Sequence, residues 1–262
     1  MAIITLTTDW GDTDFYAAAV KGHILSLLPQ VTIVDITHKI PPFDTSRAAY
    51  VLRNAFHYFP KGTVHIIGLN SEESIENPHL IVSCQGHYFI GTDNGIFSLI
   101  FKNLPDKIII LDIPIEGESY TFSTLDRFVS AAVKLLQGVP MEELGEVTSK
   151  TEQKLSFEPA ANQQGIRGMV IHIDSYENII TNIPKELFVN VIGNKAFRIQ
   201  IKGYSSTFIS ESYGDVREGE LVSLFGSNGL LQIALNKANA ASLLGVQEKD
   251  AVNILLIPED KF

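Results

Sequence analysis

Two aspartates, Asp9 and Asp14, flank the turn that follows a β-branched run from Ile3 to Thr7. In an open parallel sheet, ligands bind beyond the carboxyl ends of the strands, so a carboxylate there faces the expected crevice. It accepts two hydroxyl hydrogen bonds at once, which suits a ribose diol. For Asp14 the competing reading is a helix cap. Three further polar turns are Thr92-Asp93-Asn94-Gly95, Asp174-Ser175-Tyr176-Glu177-Asn178 and Gly226-Ser227-Asn228-Gly229. Taken singly, each is readable as a tight turn with no function. Glu72, Glu73, Glu76 and His79 share one loop and read as a solvated charged segment rather than a cation site. The chain has no GxxxxGK[ST] loop, no GxGxxG after its first strand, no GxSxG elbow and no HExxH helix. Its seven histidines show no metal-ligand spacing.

The elements that must position these residues alternate over the first 140 or so positions. Strand signals at Ile3–Thr7, Thr32–Thr37 and Thr63–Leu69 are separated by helical patterns at Asp14–Leu28, stopping before Pro29, and at Asp44–Tyr58 after Pro41-Pro42. Further strands are expected at Leu80–Cys84, Tyr88–Gly91 and Lys107–Ile113, and a last helix at Asp126–Gln137 closed by Gly138. This alternation predicts an α/β N-terminal domain over 1–150, a mainly parallel sheet covered on both faces. Residues 151–165 are polar, contain Pro159 and read as a linker. From 166 to 262 short β runs separated by Gly, Asn and Ser turns predict a smaller all-β barrel or sandwich.

Composition narrows the partners. A net charge of -10 without any basic run argues against nucleic acid or an anionic membrane. The single cysteine, Cys84, follows an apolar run and is expected in a buried strand, and a chain without disulfides fits a reducing compartment. The N-terminus has no signal-peptide pattern and no stretch has the length of a membrane span, so the expected address is the cytoplasm.

In order along the chain, Thr8-Asp9-Trp10-Gly11, Ile40-Pro41-Pro42-Phe43, Gly62-Thr63-Val64-His65, Tyr88 to Gly95, Asp174 to Asn178 with Ile180-Thr181-Asn182-Ile183, Ser227 to Leu231 and Asn239-Ala240-Ala241 resemble the S-adenosylmethionine hydroxide adenosyltransferase family. These S-adenosylmethionine hydrolases are related to the fluorinase and chlorinase enzymes. The resemblance implies attack of water or hydroxide on C5′ of the ribose, giving adenosine and L-methionine, with no metal or organic cofactor. It also implies a homotrimer, each site formed between the N-terminal domain of one subunit and the C-terminal domain of the next. By the same resemblance Asp9 is the ribose-diol ligand, Phe43 an aromatic wall beside the ribose, Asp174 a ligand of the methionine ammonium and Asn178 an adenine reader. Ser227 and Asp14 fall at the methionine end, with Asn228 and Asn239 nearby.

The resemblance breaks at the family's Asp-Arg-His set. Its Asp and Arg come from a loop of the form D-P-G-V-G-x-x-R, and its His from T-F-H-G-R-D. These positions are Asn70, Asn77 and Ser123 here. Asn70 can hold a water but takes no proton, and Glu72, Glu73, Glu76 or His79 is left to supply a base from the altered loop. Thr124 stands close to where halogenating relatives use a hydroxyl, but their other halide-site residues are not evident. Two readings remain: hydrolysis with an altered water-positioning set, or a catalytically impaired paralogue that binds S-adenosylmethionine or adenosine without turnover.

Overall fold

Every residue of the first strand, β1 (Ile3–Thr8), is buried, as its near-continuous apolar and β-branched sequence requires of a strand covered on both faces. A computed structural model describes residues 2–101, 103–114, 121–155 and 157–257. The chain divides into two units, Met1–Leu155 and Ser156–Phe262.

The first unit adds α1 (Tyr16–Leu27), β2 (Thr32–Thr37), α2 (Thr45–Ala55), β3 (Val64–Gly68), β4 (His79–Cys84), β5 (His87–Thr92), α3 (Ile96–Ile100), β6 (Lys107–Leu111), α4 (Val129–Leu136) and β7 (Gly145–Thr148). The strands form one sheet in the order β2-β1-β3-β5-β4-β6-β7. β2, β1, β3 and β5 pair in parallel, while β4 and β7 run against their neighbours. β4 reverses into β5 through Gln85 and Gly86, both left-handed at φ 54° and 83°, the backbone a two-residue hairpin turn needs.

Helices cover both faces, as the alternation predicts. Val20 and Ile24 of α1 and Val129, Ala131, Ala132 and Val133 of α4 pack with Ile4, Leu6, Val64 and Ile66. Ala48 and Leu52 of α2 and Ile96, Phe97 and Ile100 of α3 pack with Ile67, Leu80 and Phe89. Asp44 caps α2 by accepting the Arg47 N–H at 2.9 Å. Asp14 caps nothing: α1 starts two residues later, its N-cap is Phe15, and no side chain caps it. The helix expected at Asp126 begins earlier, as a π-turn over Thr124–Phe128 that runs into α4. Cys84 is a buried strand residue, as expected.

The second unit comprises β8 (Ala160–Asn162), β9 (Gly165–Ile173), β10 (Ile179–Pro184), α5 (Lys185–Ile192), β11 (Phe197–Ile201), β12 (Tyr204–Ser206), β13 (Leu221–Phe225), β14 (Leu230–Leu235), α6 (Ala240–Leu244) and β15 (Ala251–Leu256). Its antiparallel strands run β12-β11-β15-β9-β10-β14-β13, with β8, inside the segment read as a linker, beside β9. The Ser210 N–H donates to the Ser223 carbonyl of β13, which brings the chain after β12 back onto the far edge and nearly closes a barrel. The two short helices were absent from the all-β reading. α5 buries Phe188 and Ile192, plugging the barrel core with Ile183, Ile199 and Ile254. Its eight residues carry too short an apolar period to stand out between strand signals.

Candidate functional site

In the first unit the polar residues collect along one sheet edge. Thr8 closes β1 opposite Gly68, the last residue of β3, so Asp9 and the Asn70 segment leave adjacent strands on the same side. Asp9 Oδ2 accepts the Phe43 N–H at 2.9 Å. The Gly11 N–H donates to the His38 carbonyl at 2.7 Å, and the Ile40 N–H to the Thr8 carbonyl at 3.3 Å. These bonds lace the loop after β1 to the loop before α2. Phe43 is held at φ 64° with its ring 72% exposed. A bulky residue there is strained, and such strain marks a backbone fixed by its surroundings.

Trp10, the only tryptophan, completes this corner. Its ring stands 5.4 Å from Phe122 and 6.3 Å from Tyr16 between centroids. Gly68 has to be glycine because a Cβ there would lie 2.6 Å from the Trp10 ring.

Phe43→Gly separates strain from use. Glycine adopts φ 64° freely, which relieves about 1–2 kcal/mol and more than offsets its extra unfolded-state freedom of about 0.4–1 kcal/mol. The variant is expected to melt no lower than the wild type while losing about tenfold in ligand affinity if Phe43 is the aromatic wall that the resemblance implies. Calorimetric melting and titration with S-adenosylmethionine check both; a lower melting point with unchanged affinity would contradict it.

The three positions that the resemblance assigns to a water-positioning set, Asn70, Asn77 and Ser123, lie in three different settings. Asn70 is exposed at φ 44°. Asn77 closes its own turn, its N–H donating to Ser74 Oγ at 3.0 Å and its carbonyl accepting the Ser74 N–H. Ser123 is buried at the start of the π-turn. The next residue, Thr124, is fully buried, and its Oγ1 has no partner among the described residues. The loop read as solvated is only partly so. Glu73 Oε2 accepts from Arg127 Nη1 at 2.5 Å, and the same nitrogen lies 3.3 Å from His79 Nδ1. Burial holds the His79 imidazole below its ordinary pKa, against the opposing pull of Glu73 and the Ser71 carbonyl, and Arg127 pushes it further down. Thr92-Asp93-Asn94-Gly95 is structural: Asn94 Nδ2 ties it to the Leu69 carbonyl, and Asp93 Oδ2 accepts the Glu152 N–H.

In the second unit Asp174 organises its own loop. Oδ1 accepts the N–H groups of Tyr176 and Asn178, and Oδ2 accepts Asn178 Nδ2, each at 2.9 Å. The carboxylate and the Asn178 amide are therefore preset in direction. Glu177, at φ 61°, joins Asn239 to them: its Oε1 accepts Asn239 Nδ2 at 3.3 Å and its Oε2 caps α6 at the Ser242 N–H. The Ser227-Asn228 turn connects β13 to β14, with Asn228 Oδ1 accepting the Leu230 N–H. Beside it stand two residues that sequence reading missed. Gln232 lies against Gly226, where a Cβ would meet its Nε2 at 2.2 Å, and its Oε1 accepts the Tyr213 hydroxyl at 2.7 Å. Burial and the nearby Asp174 charge raise the Tyr213 pKa. No sequence motif flags Tyr213 or Gln232; Trp10, next to Asp9, was the one available signal. Asp14 is exposed. Among the described residues no group of three His, Cys, Asp or Glu side chains could hold a metal ion, and no helix is long and apolar enough to cross a membrane.

Comparison with known proteins gives both units a family. The SAM hydroxide adenosyltransferase N-terminal domain model matches residues 4–145, and the corresponding C-terminal domain model matches residues 168–253. The chain is 33% identical to an (R)-S-adenosyl-L-methionine hydrolase of Methanocaldococcus jannaschii, over 97% of this chain and 95% of that one. It is 32% identical to one of Thermus thermophilus, over 97% of this chain and 100% of that one. A crystal structure of an uncharacterized conserved protein from Thermotoga maritima superimposes with a TM-score of 0.87 at 27% identity, covering 97% of this chain and 100% of that one.

Proposed function

Because the chain belongs to the SAM hydroxide adenosyltransferase family, we propose that it hydrolyses S-adenosylmethionine to adenosine and L-methionine by attack of water on C5′. The observation that carries this reading is the 33% identity to a named S-adenosyl-L-methionine hydrolase over nearly the full length of both chains. The half-sites give it a chemical basis. Asp9 is aimed by its bond to the Phe43 N–H, and takes the ribose diol beside the Phe43 ring. Asp174 takes the methionine ammonium, Asn178 reads adenine, and Ser227, Asn228 and Asp14 meet the amino-acid end, with Asn239 behind Glu177.

The demand on the protein is modest. The sulfonium is already a leaving group whose positive charge disappears as the C5′–S bond breaks. Alignment of one water with that bond and exclusion of bulk solvent supply most of the acceleration. The reaction so written needs no metal or organic cofactor. Asp9 and Asp174 belong to different units, and the functional form is a homotrimer in which one subunit's Asp9 edge and the next subunit's Asp174 loop close on one ligand. The compartment is the cytoplasm, where S-adenosylmethionine is made and used. Purified protein incubated with S-adenosylmethionine should release adenosine and methionine in equal amounts by chromatography. Ligand consumption without adenosine, or none at all, would refute the reading. Neither half-site nor relative favours binding without turnover.

A further inference from the structure

Among the described residues, Arg127 is the one buried arginine or lysine, and the proposed binding roles leave it unused. Its side chain is 9% exposed. Nη1 reaches Glu73 Oε2 at 2.5 Å and His79 Nδ1 at 3.3 Å, and Nη2 donates to the Leu111 carbonyl at 2.8 Å. His79 Nε2 lies 3.0 Å from the Ser71 carbonyl, which can only accept. That fixes the proton on Nε2 and leaves the Nδ1 lone pair for the guanidinium. The Phe128 ring packs edge-on to the imidazole at 4.7 Å. Four segments meet here: the loop after β3, the start of β4, the end of β6 and the π-turn. His79 stands opposite Thr92, the last residue of β5, so the cluster lies on the edge from which Asp9 also emerges. β1 and β4 are three strand spacings apart, ~14 Å.

A buried guanidinium costs several kcal/mol of desolvation unless its partners are well placed. Here those partners come from positions 73, 79 and 111, and Arg127 aims a carboxylate that is itself 38% exposed. Among the described residues Glu73 Oε1 has no protein hydrogen-bond partner, and the side chain is partly exposed.

We propose that Glu73, held by Arg127, which His79 in turn braces, is the group that orients the attacking water and accepts its proton in this chain, in place of the substituted positions 70, 77 and 123. This rests on the hydrolase reading above. In the step, the water oxygen bonds to C5′, the C5′–S bond breaks with its electron pair going to sulfur, and methionine leaves as a neutral thioether. The attacking oxygen, now a protonated alcohol on C5′, gives one proton to Glu73 Oε1, which passes it to solvent. A protonated alcohol is a far stronger acid than a carboxylic acid, so a carboxylate engaged by arginine is a sufficient acceptor. Glu73 is the catalytic residue; Arg127 and His79 are positioning residues.

The test uses the full-length protein and three variants. Glu73→Gln keeps size and hydrogen bonding but takes no proton, and is expected to lower kcat about 100-fold or more with the dissociation constant for S-adenosylmethionine changed less than threefold. Arg127→Lys keeps the charge and loses the forked grip on Glu73 and Leu111, lowering kcat at unchanged KM. His79→Gln is the milder version of the same loss, should Arg127→Lys fold poorly. The charged groups facing His79 are Glu73 from the loop and Arg127 from the π-turn. Removing the Glu73 charge should therefore move the His79 titration, followed by NMR, to lower pH, which a purely structural contact with a neutral loop would not do. A wild type that turns over beside an equally active Glu73→Gln overturns the water-positioning role alone. A wild type that binds S-adenosylmethionine but releases no adenosine overturns the hydrolase reading, and this proposal with it.

Discussion

Asp9→Ala is expected to weaken S-adenosylmethionine binding by about 100-fold or more. Two hydrogen bonds from a diol to a carboxylate are worth about 1.5–3 kcal/mol each, against a baseline of water that refills the site only in part. The same substitution removes the acceptor of the Phe43 N–H, so the aromatic wall loses its anchor as well. Asp9 is only half-buried and lies past the end of β1, so the melting temperature should fall little. Asp9→Asn separates the two roles, because the amide oxygen still receives the Phe43 N–H while the charge is gone. Titration calorimetry on both variants reads this directly. The proposed homotrimer with a shared site leads to a sharper result. Asp9→Ala and Asp174→Ala chains should each be nearly inactive alone at low S-adenosylmethionine, but co-expression should recover part of the activity, since mixed trimers would contain some sites with both aspartates. Affinity within threefold of wild type for Asp9→Ala, or no recovery on mixing, would contradict these assignments.

Acid should destabilise the first unit through a histidine buried in its core. His65 is fully buried in β3, with Nδ1 2.7 Å from Thr5 Oγ1 and Nε2 3.2 Å from His87 Nδ1. Burial, and secondarily the neighbouring His87, lower its pKa to about 3. In the unfolded chain the same imidazole titrates near 6.5. A folded pKa depressed below the unfolded one means that the unfolded state binds the proton first. Stability is therefore full above about pH 6.5 and declines as pH falls toward 3, by about 1.4 kcal/mol per pH unit for this one group. At pH 5 the loss is about 2 kcal/mol. Urea unfolding of wild type and His65→Gln between pH 7.5 and 5 checks it. The variant should start less stable, since it disturbs a packed polar pair, yet lose stability more slowly by about one proton's worth of slope. Equal slopes would contradict the assignment.

How much of this was legible in the sequence differs from place to place, for physical reasons. The parallel core could be read because β1 and β3 are buried on both faces and spell runs rich in β-branched residues. The reversal of β4 could not, because nothing in an apolar strand records its direction; only the left-handed Gln85-Gly86 turn does. Asp9 and Asp174 were visible as carboxylates at element ends. What fixes them was not: the strained Phe43 backbone, the three hydrogen bonds inside the Asp174 loop and the Tyr213–Gln232 link all depend on coordinates. The cap role offered for Asp14 failed because the helix begins beyond its reach. Glu73, His79 and Arg127 show the limit most clearly. Glu73 and His79 looked like a solvated loop because their partner lies 48 residues beyond His79, on a turn whose sequence reads as the start of an ordinary helix.

The direct test of the hydrolase reading is isotopic. The protein is incubated with S-adenosylmethionine in water enriched in oxygen-18, and the adenosine released is weighed by mass spectrometry. Attack of water on C5′ predicts adenosine carrying one heavy oxygen at its 5′ position, with unlabelled methionine beside it. Adenosine without the label, or no adenosine from protein that binds the ligand, would contradict it.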